Sequence, residues 1–379
     1  MTIPYGRQWI DEADEQAVLA VLRSDFLTQG PAVERFEAAL ADYVGARFCV
    51  AVANATAGLH LAYAALGLGP GDEGVTTPIT FVATANAMEF LGARVRFSDI
   101  DGTSFNLDPH LLEQALSPAT RVIAPVHFAG VPADMQAIEA IARRRGIPVV
   151  EDASHAIGGR YPTGEMIGAC ARSAMTVFSF HPVKTITTGE GGAVTTNDPR
   201  LYEKLRDLRA HGITRDPSRL VSHPGPWYYE MQDLGYNYRM TEMQAALGCS
   251  QLRRLDDFRA RRQAIIAAYD AAFGDLAWFE RPLTGEGTCC HLYVGRFDFA
   301  ALGRDRAGVM QRLREAGVGT QVHYIPVHLQ PWYRERYGHR AGDFPVAEAY
   351  YQRCLSLPLF PRMTDEEVAR VIEAVRALT

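Results

Sequence analysis

Cysteine is sparse and unpatterned. Six residues (Cys49, Cys170, Cys249, Cys289, Cys290, Cys354) are scattered through 379, with no C-x-x-C spacing. This excludes a disulfide scaffold and the usual thiolate zinc sites, and it suits reduced thiols in a cytoplasmic protein. H-E-x-x-H is missing, so no metal is expected. No run reaches the roughly 18 apolar residues of a membrane span. The opening Met1-Thr2-Ile3-Pro4-Tyr5 turns acidic at Asp11, Glu12, Asp14 and Glu15, unlike a signal peptide. The formal net charge of −6 leaves no basic surplus for nucleic acid or an anionic membrane. G-x-S-x-G is absent, and Gly67-Leu68-Gly69-Pro70-Gly71-Asp72 lacks dinucleotide-binding spacing and reads as a turn. Asp152, Ser154 and His155 carry the letters of a hydrolase triad, but triad members usually come from separate elements.

What is present is an ordinary globular composition, 47% hydrophobic and 22% charged, in a chain long enough for about two or three domains. Short apolar runs at 48–52, 122–126 and 147–150 read as buried strands, with helical stretches at 56–66 and 134–145 between them. Such alternation predicts an α/β fold with a mostly parallel sheet between helices. Residues 11–24 predict a short helix with Val18, Val21 and Leu22 on one face. A long Pro-, Gly- and aromatic-rich segment follows over 211–235. Thr241 and Gln244 have capping-box spacing and open a helix that could run through Ile266, tying a large domain to a smaller one. Thr364 and Glu367 repeat the device before Val368, Val371, Ile372 and Val375.

Three segments could carry chemistry. Val149-Val150-Glu151-Asp152 is an apolar strand ending in carboxylates, where open α/β sheets bind ligands; capping of a strand exit is the equally simple alternative. Thr176–Lys184 is a second strand, broken at Pro182, that delivers one lysine before Thr187-Thr188-Gly189-Glu190-Gly191-Gly192. A lysine becomes a nucleophile toward carbonyls when its surroundings lower its pKa. Asn54-Ala55-Thr56-Ala57 places small residues at a helix start, where free N–H groups can hold a phosphate; plain N-capping is the competing reading. Asn237-Tyr238-Arg239 says little alone.

Taken in order, these segments resemble the pyridoxal 5'-phosphate (PLP)-dependent nucleotide-sugar aminotransferases of the DegT/DnrJ/EryC1/StrS family. The resemblance spans nearly the whole chain. It runs from Ile3-Pro4-Tyr5-Gly6-Arg7 and Leu27-Thr28-Gln29-Gly30-Pro31 through Thr77–Asn86, Glu151–Ala156, Phe178–Gly192 and Leu234–Met240 to Gln321-Val322-His323-Tyr324-Ile325-Pro326. It implies the aspartate aminotransferase-like PLP fold type I: a large PLP-binding domain with an N-terminal arm over 1–249 and a small C-terminal α+β domain over 250–379. It also implies that Lys184 carries the cofactor, Asp152 faces the ring nitrogen and Phe81 stacks on the ring. Ala55, Thr56 and Ser179 would hold the phosphate, with His155 near the ring hydroxyl. Asn237 would reach the phosphate of the other subunit of a homodimer with shared active sites. A sister group has histidine in place of this lysine and performs dehydration; Lys184 favours amino transfer. The N-terminal, Lys184 and C-terminal blocks look closest to the branch that aminates a UDP-linked 4-keto-6-deoxy-N-acetylhexosamine toward pseudaminic acid. L-glutamate is the implied donor, and Tyr5, Thr28, Gln29, Gly30, His323 and Tyr324 would line the sugar-nucleotide site. The alternatives are a C4 or C3 aminotransferase for another UDP- or dTDP-keto sugar and, in a different class, a non-catalytic PLP-binding regulator.

Overall fold

In a computed structural model, residues 2–285 and 287–378 are described. Strands β1 (Phe48–Val52), β2 (Glu73–Thr76), β3 (Arg94–Phe97), β4 (Thr120–Ala124), β5 (Val150–Asp152), β6 (Met175–Ser179) and β7 (Gly192–Thr196) build the large sheet. Two ladders, β3-β2-β4 and β5-β6-β7-β1, are joined by parallel bridges Ile123–Val149 and Val126–Asp152. The pairing is parallel except at β7, which runs antiparallel to both β6 and β1. The carboxyl ends of the other strands therefore share one edge.

Successive side chains in a strand face opposite sides, and here both sides are apolar. Cys49, Ala51, Phe178 and Ala193 pack against Phe36, Leu40 and Val44 of helix Pro31–Val44 and against Ile138 and Ile141 of helix Met135–Arg145. Val50, Val52, Val177 and Val194 pack against Leu59, Leu61 and Tyr63 of helix Ala55–Ala65 on the other side.

The segment 211–235 holds only the two-residue pair β8 (Ile213–Thr214) and β9 (Glu230–Met231), and it leaves Val221, Trp227, Met231 and Leu234 exposed. β10 (Phe279–Glu280), β11 (Tyr293–Phe297) and β12 (Cys354–Leu357) form a second, antiparallel sheet. Its core takes in Ile265, Tyr269 and Phe273 of helix Leu255–Phe273, Val371 of helix Asp365–Arg376, and also Ile3. Ile3 bonds through its backbone to Gly317 and Gly319.

Both expected capping boxes form, at Thr241–Gln244 and Thr364–Glu367. The helix opened by Thr241 stops at Leu252, and a new one starts at Leu255. At the break, Arg254 reaches Asp11, Asp14 and the Trp9 carbonyl, so the chain bends to meet the N-terminal arm. Helix Glu12–Leu22 buries Val21, while Leu22 stays exposed. Among the described residues no helix is long and apolar enough to cross a membrane, and no group of metal-ligating side chains gathers.

Candidate active site

A cavity of about 920 Å³ opens at the carboxyl edge of the large sheet. Strand order brings its walls together. β1 leads to Ala55 and Thr56, β2 to Thr80 and Phe81, β5 ends at Asp152, and β6 ends at Ser179 before the turn that carries Lys184. His291, two residues before β11, completes the wall with His323, Tyr324 and, from the N-terminal segment, Tyr5.

Lys184 sits in the connection from β6 to β7. That connection is tied by Phe180 N–H to Gly191 O (2.9 Å), Thr188 N–H to Phe180 O (3.0 Å) and the Thr187 hydroxyl to Phe180 O (3.0 Å). Enclosure by protein pulls the Lys184 amine from 10.5 to about 8, against the opposing influence of Asp152 and Cys289.

The Asp152 carboxylate is buried and held at both oxygens. Oδ2 accepts from the Thr84 hydroxyl at 2.6 Å, and Oδ1 accepts from the Ser154 N–H at 3.0 Å. The Thr80 hydroxyl lies 2.7 Å from that of Thr84. Glu151, the neighbouring residue, points to the opposite side of the sheet. There it accepts from His127 Nε2 at 2.8 Å, Thr176 Oγ1 at 3.0 Å, and the hydroxyls of Tyr161 and Ser173. His127 Nδ1 accepts from the Ala133 N–H at 3.0 Å, so it is Nε2 that donates to Glu151.

At the start of helix Ala55–Ala65, Asn54 is the N-cap and accepts from the Ala57 N–H at 2.9 Å. The capping reading is thus met by Asn54, while the amides of Ala55 and Thr56 remain open beside the Ser179 side chain. Free N–H groups at a helix N-terminus form an anion site. A Cβ on Gly192 would stand 2.6 Å from the Asn54 carbonyl carbon and 2.7 Å from the Ala55 nitrogen. Only glycine lets β7 run beneath this loop.

Imidazoles line the opposite wall. His155 Nδ1 accepts from the Ala129 N–H at 3.3 Å, which leaves the proton on Nε2 to donate to the Tyr324 oxygen at 3.0 Å. Burial, reinforced by Lys184 and His323, drives His155 well below its usual range. Burial followed by Lys184 brings His323 down to about 3. His323 Nδ1 lies 2.7 Å from Ser356 Oγ. His291, its ring centroid 4.6 Å from that of His155, is likewise held neutral by burial. Phe81 is 58% exposed although it follows a buried strand, and it presents its ring to the cavity.

The fold therefore gathers Tyr5, Ala55, Thr56, Phe81, Asp152, His155, Ser179, Lys184, His323 and Tyr324 around one space. Thr28, Gln29, Gly30 and Asn237 do not line it within one chain. Thr28 bridges to Thr241, Gly30 N–H donates to Glu242 at 3.0 Å, and Asn237 is exposed beyond Ala210. Thr80, Thr84 and His291 were missed by motif reading. The two threonines stand four apart at the start of helix Ala83–Glu89, a spacing that stacks side chains but does not name their target.

An open sheet with a lysine and a carboxylate at its carboxyl edge, a helix N-terminus between them and an aromatic face above defines a PLP enzyme of fold type I. The DegT/DnrJ/EryC1/StrS aminotransferase family model matches residues 8–376. The chain is 43% identical over 377 residues to the spore coat polysaccharide biosynthesis protein SpsC of Bacillus subtilis (strain 168), covering 99% of this chain and 96% of that protein. Helicobacter pylori PseC, an aminotransferase involved in the biosynthesis of pseudoaminic acid, matches with a TM-score of 0.92 at 30% identity, over 100% of this chain and 99% of that one. Spr1654 of Streptococcus pneumoniae, described as a sugar aminotransferase and solved in its PLP form, matches with a TM-score of 0.91 at 31% identity, over 100% and 98%. The chain belongs to the DegT/DnrJ/EryC1/StrS aminotransferase family and is a PLP-dependent sugar aminotransferase.

Proposed function

We propose that this cavity transfers an amino group from L-glutamate to the keto carbon of a nucleotide-linked 4-keto-6-deoxy sugar. The first candidate is the UDP-linked N-acetylhexosamine of pseudaminic acid biosynthesis. The observation that carries the reading is the convergence of Lys184, Asp152 and the open Ala55–Thr56 amides on one cavity. PseC, similar over the full chain, supports the choice of sugar.

The residues fit the cofactor. The Ala55 and Thr56 amides, with the Thr56 and Ser179 hydroxyls, would hold its phosphate, Asp152 its ring nitrogen, Phe81 a ring face and Lys184 its aldehyde carbon. When bound, PLP supplies an electron sink that accepts an amino group from one substrate and passes it to another. Lys184, whose amine enclosure brings to about 8, would supply the base that moves a proton at the donor carbon near neutral pH. His155 and Tyr324 form one hydrogen-bonded unit that fixes a hydroxyl toward the reacting centre. The neutral His323 beside Tyr5, ring centroids 5.5 Å apart, offers a polar edge to the sugar without attracting a second charge.

Thr28, Gln29, Gly30 and Asn237 lie outside this cavity; Leu22, Phe26 and Leu27, just before Thr28 in sequence, and Trp227 and Leu234, before Asn237, are exposed apolar side chains. In our reading that surface pairs two copies in a cytoplasmic homodimer, each lending Asn237 to the other's site.

The test is a half-reaction. The protein, loaded with pyridoxamine phosphate, is given the UDP-4-keto sugar. Return of the PLP absorption with a UDP-amino sugar by mass supports the reading; no change with this sugar but conversion of another keto sugar overturns the substrate. The similarity to SpsC favours the second reading, a different nucleotide keto sugar destined for a surface polysaccharide.

A further inference from the structure

We infer that Thr84, backed by Thr80, is a positioning residue that keeps the proton on the cofactor's ring nitrogen by holding Asp152 as a carboxylate. This rests on the assignment of Asp152 to that nitrogen, proposed above.

The Thr84 hydroxyl has one proton and two acceptors in reach, Asp152 Oδ2 at 2.6 Å and the Phe81 carbonyl at 3.3 Å. The short, charge-assisted bond takes the proton. Thr80, 2.7 Å from Thr84 Oγ1, must then be the donor in that contact. The chain of bonds has a direction, Thr80 to Thr84 to Asp152. It is buried: Thr84 is 0%, Thr80 2% and Asp152 4% exposed. Thr84 is itself held in place, since its carbonyl accepts the hydroxyl of the fully buried Tyr63 at 3.2 Å.

Burial gives the relay its consequence. Opposite a protonated ring nitrogen in a low-dielectric site, a carboxylate can take the proton and leave a neutral pair, because two charges cost more there than in water. Donors to the carboxylate stabilise its charged form and oppose that transfer. Thr84 supplies one to Oδ2 and the Ser154 amide one to Oδ1, which leaves each oxygen further acceptor capacity for the ring. The protonated ring is the stronger electron sink. Thr84 thus acts on the chemistry through Asp152 and does not line the cavity itself.

The experiment compares full-length Thr84→Val, Thr84→Ser, Thr80→Val and Asp152→Ala with the parent protein. Each is loaded with PLP isotopically labelled at the ring nitrogen, whose magnetic resonance shift reports its protonation. Hydrogen bonds to charged groups suggest that Thr84→Val, close to isosteric, lowers kcat roughly tenfold to a hundredfold. The expected companions are a ring resonance moved toward neutral pyridine, little change in sugar KM, and recovery of both readouts in Thr84→Ser. Thr80→Val is expected to move the resonance the same way by less, and it carries the test should Thr84→Val not fold. A parent-like resonance in Thr84→Val or, failing that, in Thr80→Val, with Asp152→Ala shifted, overturns the relay and leaves the role of Asp152 standing. An unshifted Asp152→Ala overturns both. Loss of kcat that serine does not restore assigns Thr84 to packing and also overturns the proposal.

Discussion

A lysine on a turn between strands is ordinarily a solvated cation. At 184 the turn folds back over the sheet edge, and enclosure lowers the amine to about 8. Because the neutral amine attacks a carbonyl, PLP uptake by cofactor-free protein should accelerate as the pH rises through about 8 and then level off. Stopped-flow absorption measures it, and a rate that ignores pH across that range contradicts the assignment. Glu151 shows the opposite balance. Burial alone would raise its pKa, but the hydrogen bond and charge interaction with His127, followed by hydrogen bonds from Ser173 and Tyr161, outweigh it and hold the carboxyl below 4.5. A depressed folded-state value means stability present above 4.5 and lost as the pH falls through the folded value. Replacing Glu151 by Gln should cost about 3 kcal/mol near neutral pH, since four donors lose a charged acceptor. It should also flatten the acid limb of an urea-melt series; an unchanged acid limb would count against the network. Glu151 and Asp152 are adjacent in sequence and chemically alike. The two-residue period of the strand sends one to the cavity and the other to a sealed network.

Among elements, the features legible in the chain were local ones. The capping boxes at Thr241 and Thr364 depend on residues three apart, and both form. The break at Arg253–Arg254 was not legible, because its partners Trp9, Asp11 and Asp14 lie at the other end of the sequence. The same holds for Thr28-Gln29-Gly30. Its position is set by Glu242, whose carboxylate accepts from the amides of Gly30 (3.0 Å), Ala32 (2.6 Å) and Val33 (3.2 Å) at the start of helix Pro31–Val44. That carboxylate meets both the open amides and the positive end of the helix. Glu242→Gln should cost roughly 1–2 kcal/mol. It should also speed hydrogen exchange at Ala32 and Val33 more than in the sheet; uniform exchange across the helix would argue against this role.

On the scale of the molecule, the site draws on distant parts of the chain, since Tyr5, His323 and Tyr324 face Asp152 and Lys184 across one cavity. Arg262 ties the chain at His291 to the chain at Leu359. Its buried guanidinium, brought to about 10 by burial, donates to the carbonyls of His291 (3.0 Å) and Leu359 (2.8 Å). If the site is also shared between copies, mixing inactive Lys184→Ala with inactive Asn237→Ala after partial unfolding should restore roughly a quarter of the parent activity. Random pairing makes about half the dimers hybrids, each with one intact site. Activity that never returns would confine the site to one chain.

The sequence by itself determined the strand and helix alternation, the caps, and the residue types at the strand ends, because these follow from periodicity and from neighbours a few positions apart. Tertiary structure alone decided which carboxylate meets the cavity, that Thr84 backs it, that Glu242 anchors Gly30, and that His291 joins His155. Those outcomes depend on strand order and on packing between segments up to a few hundred residues apart, which no local pattern encodes.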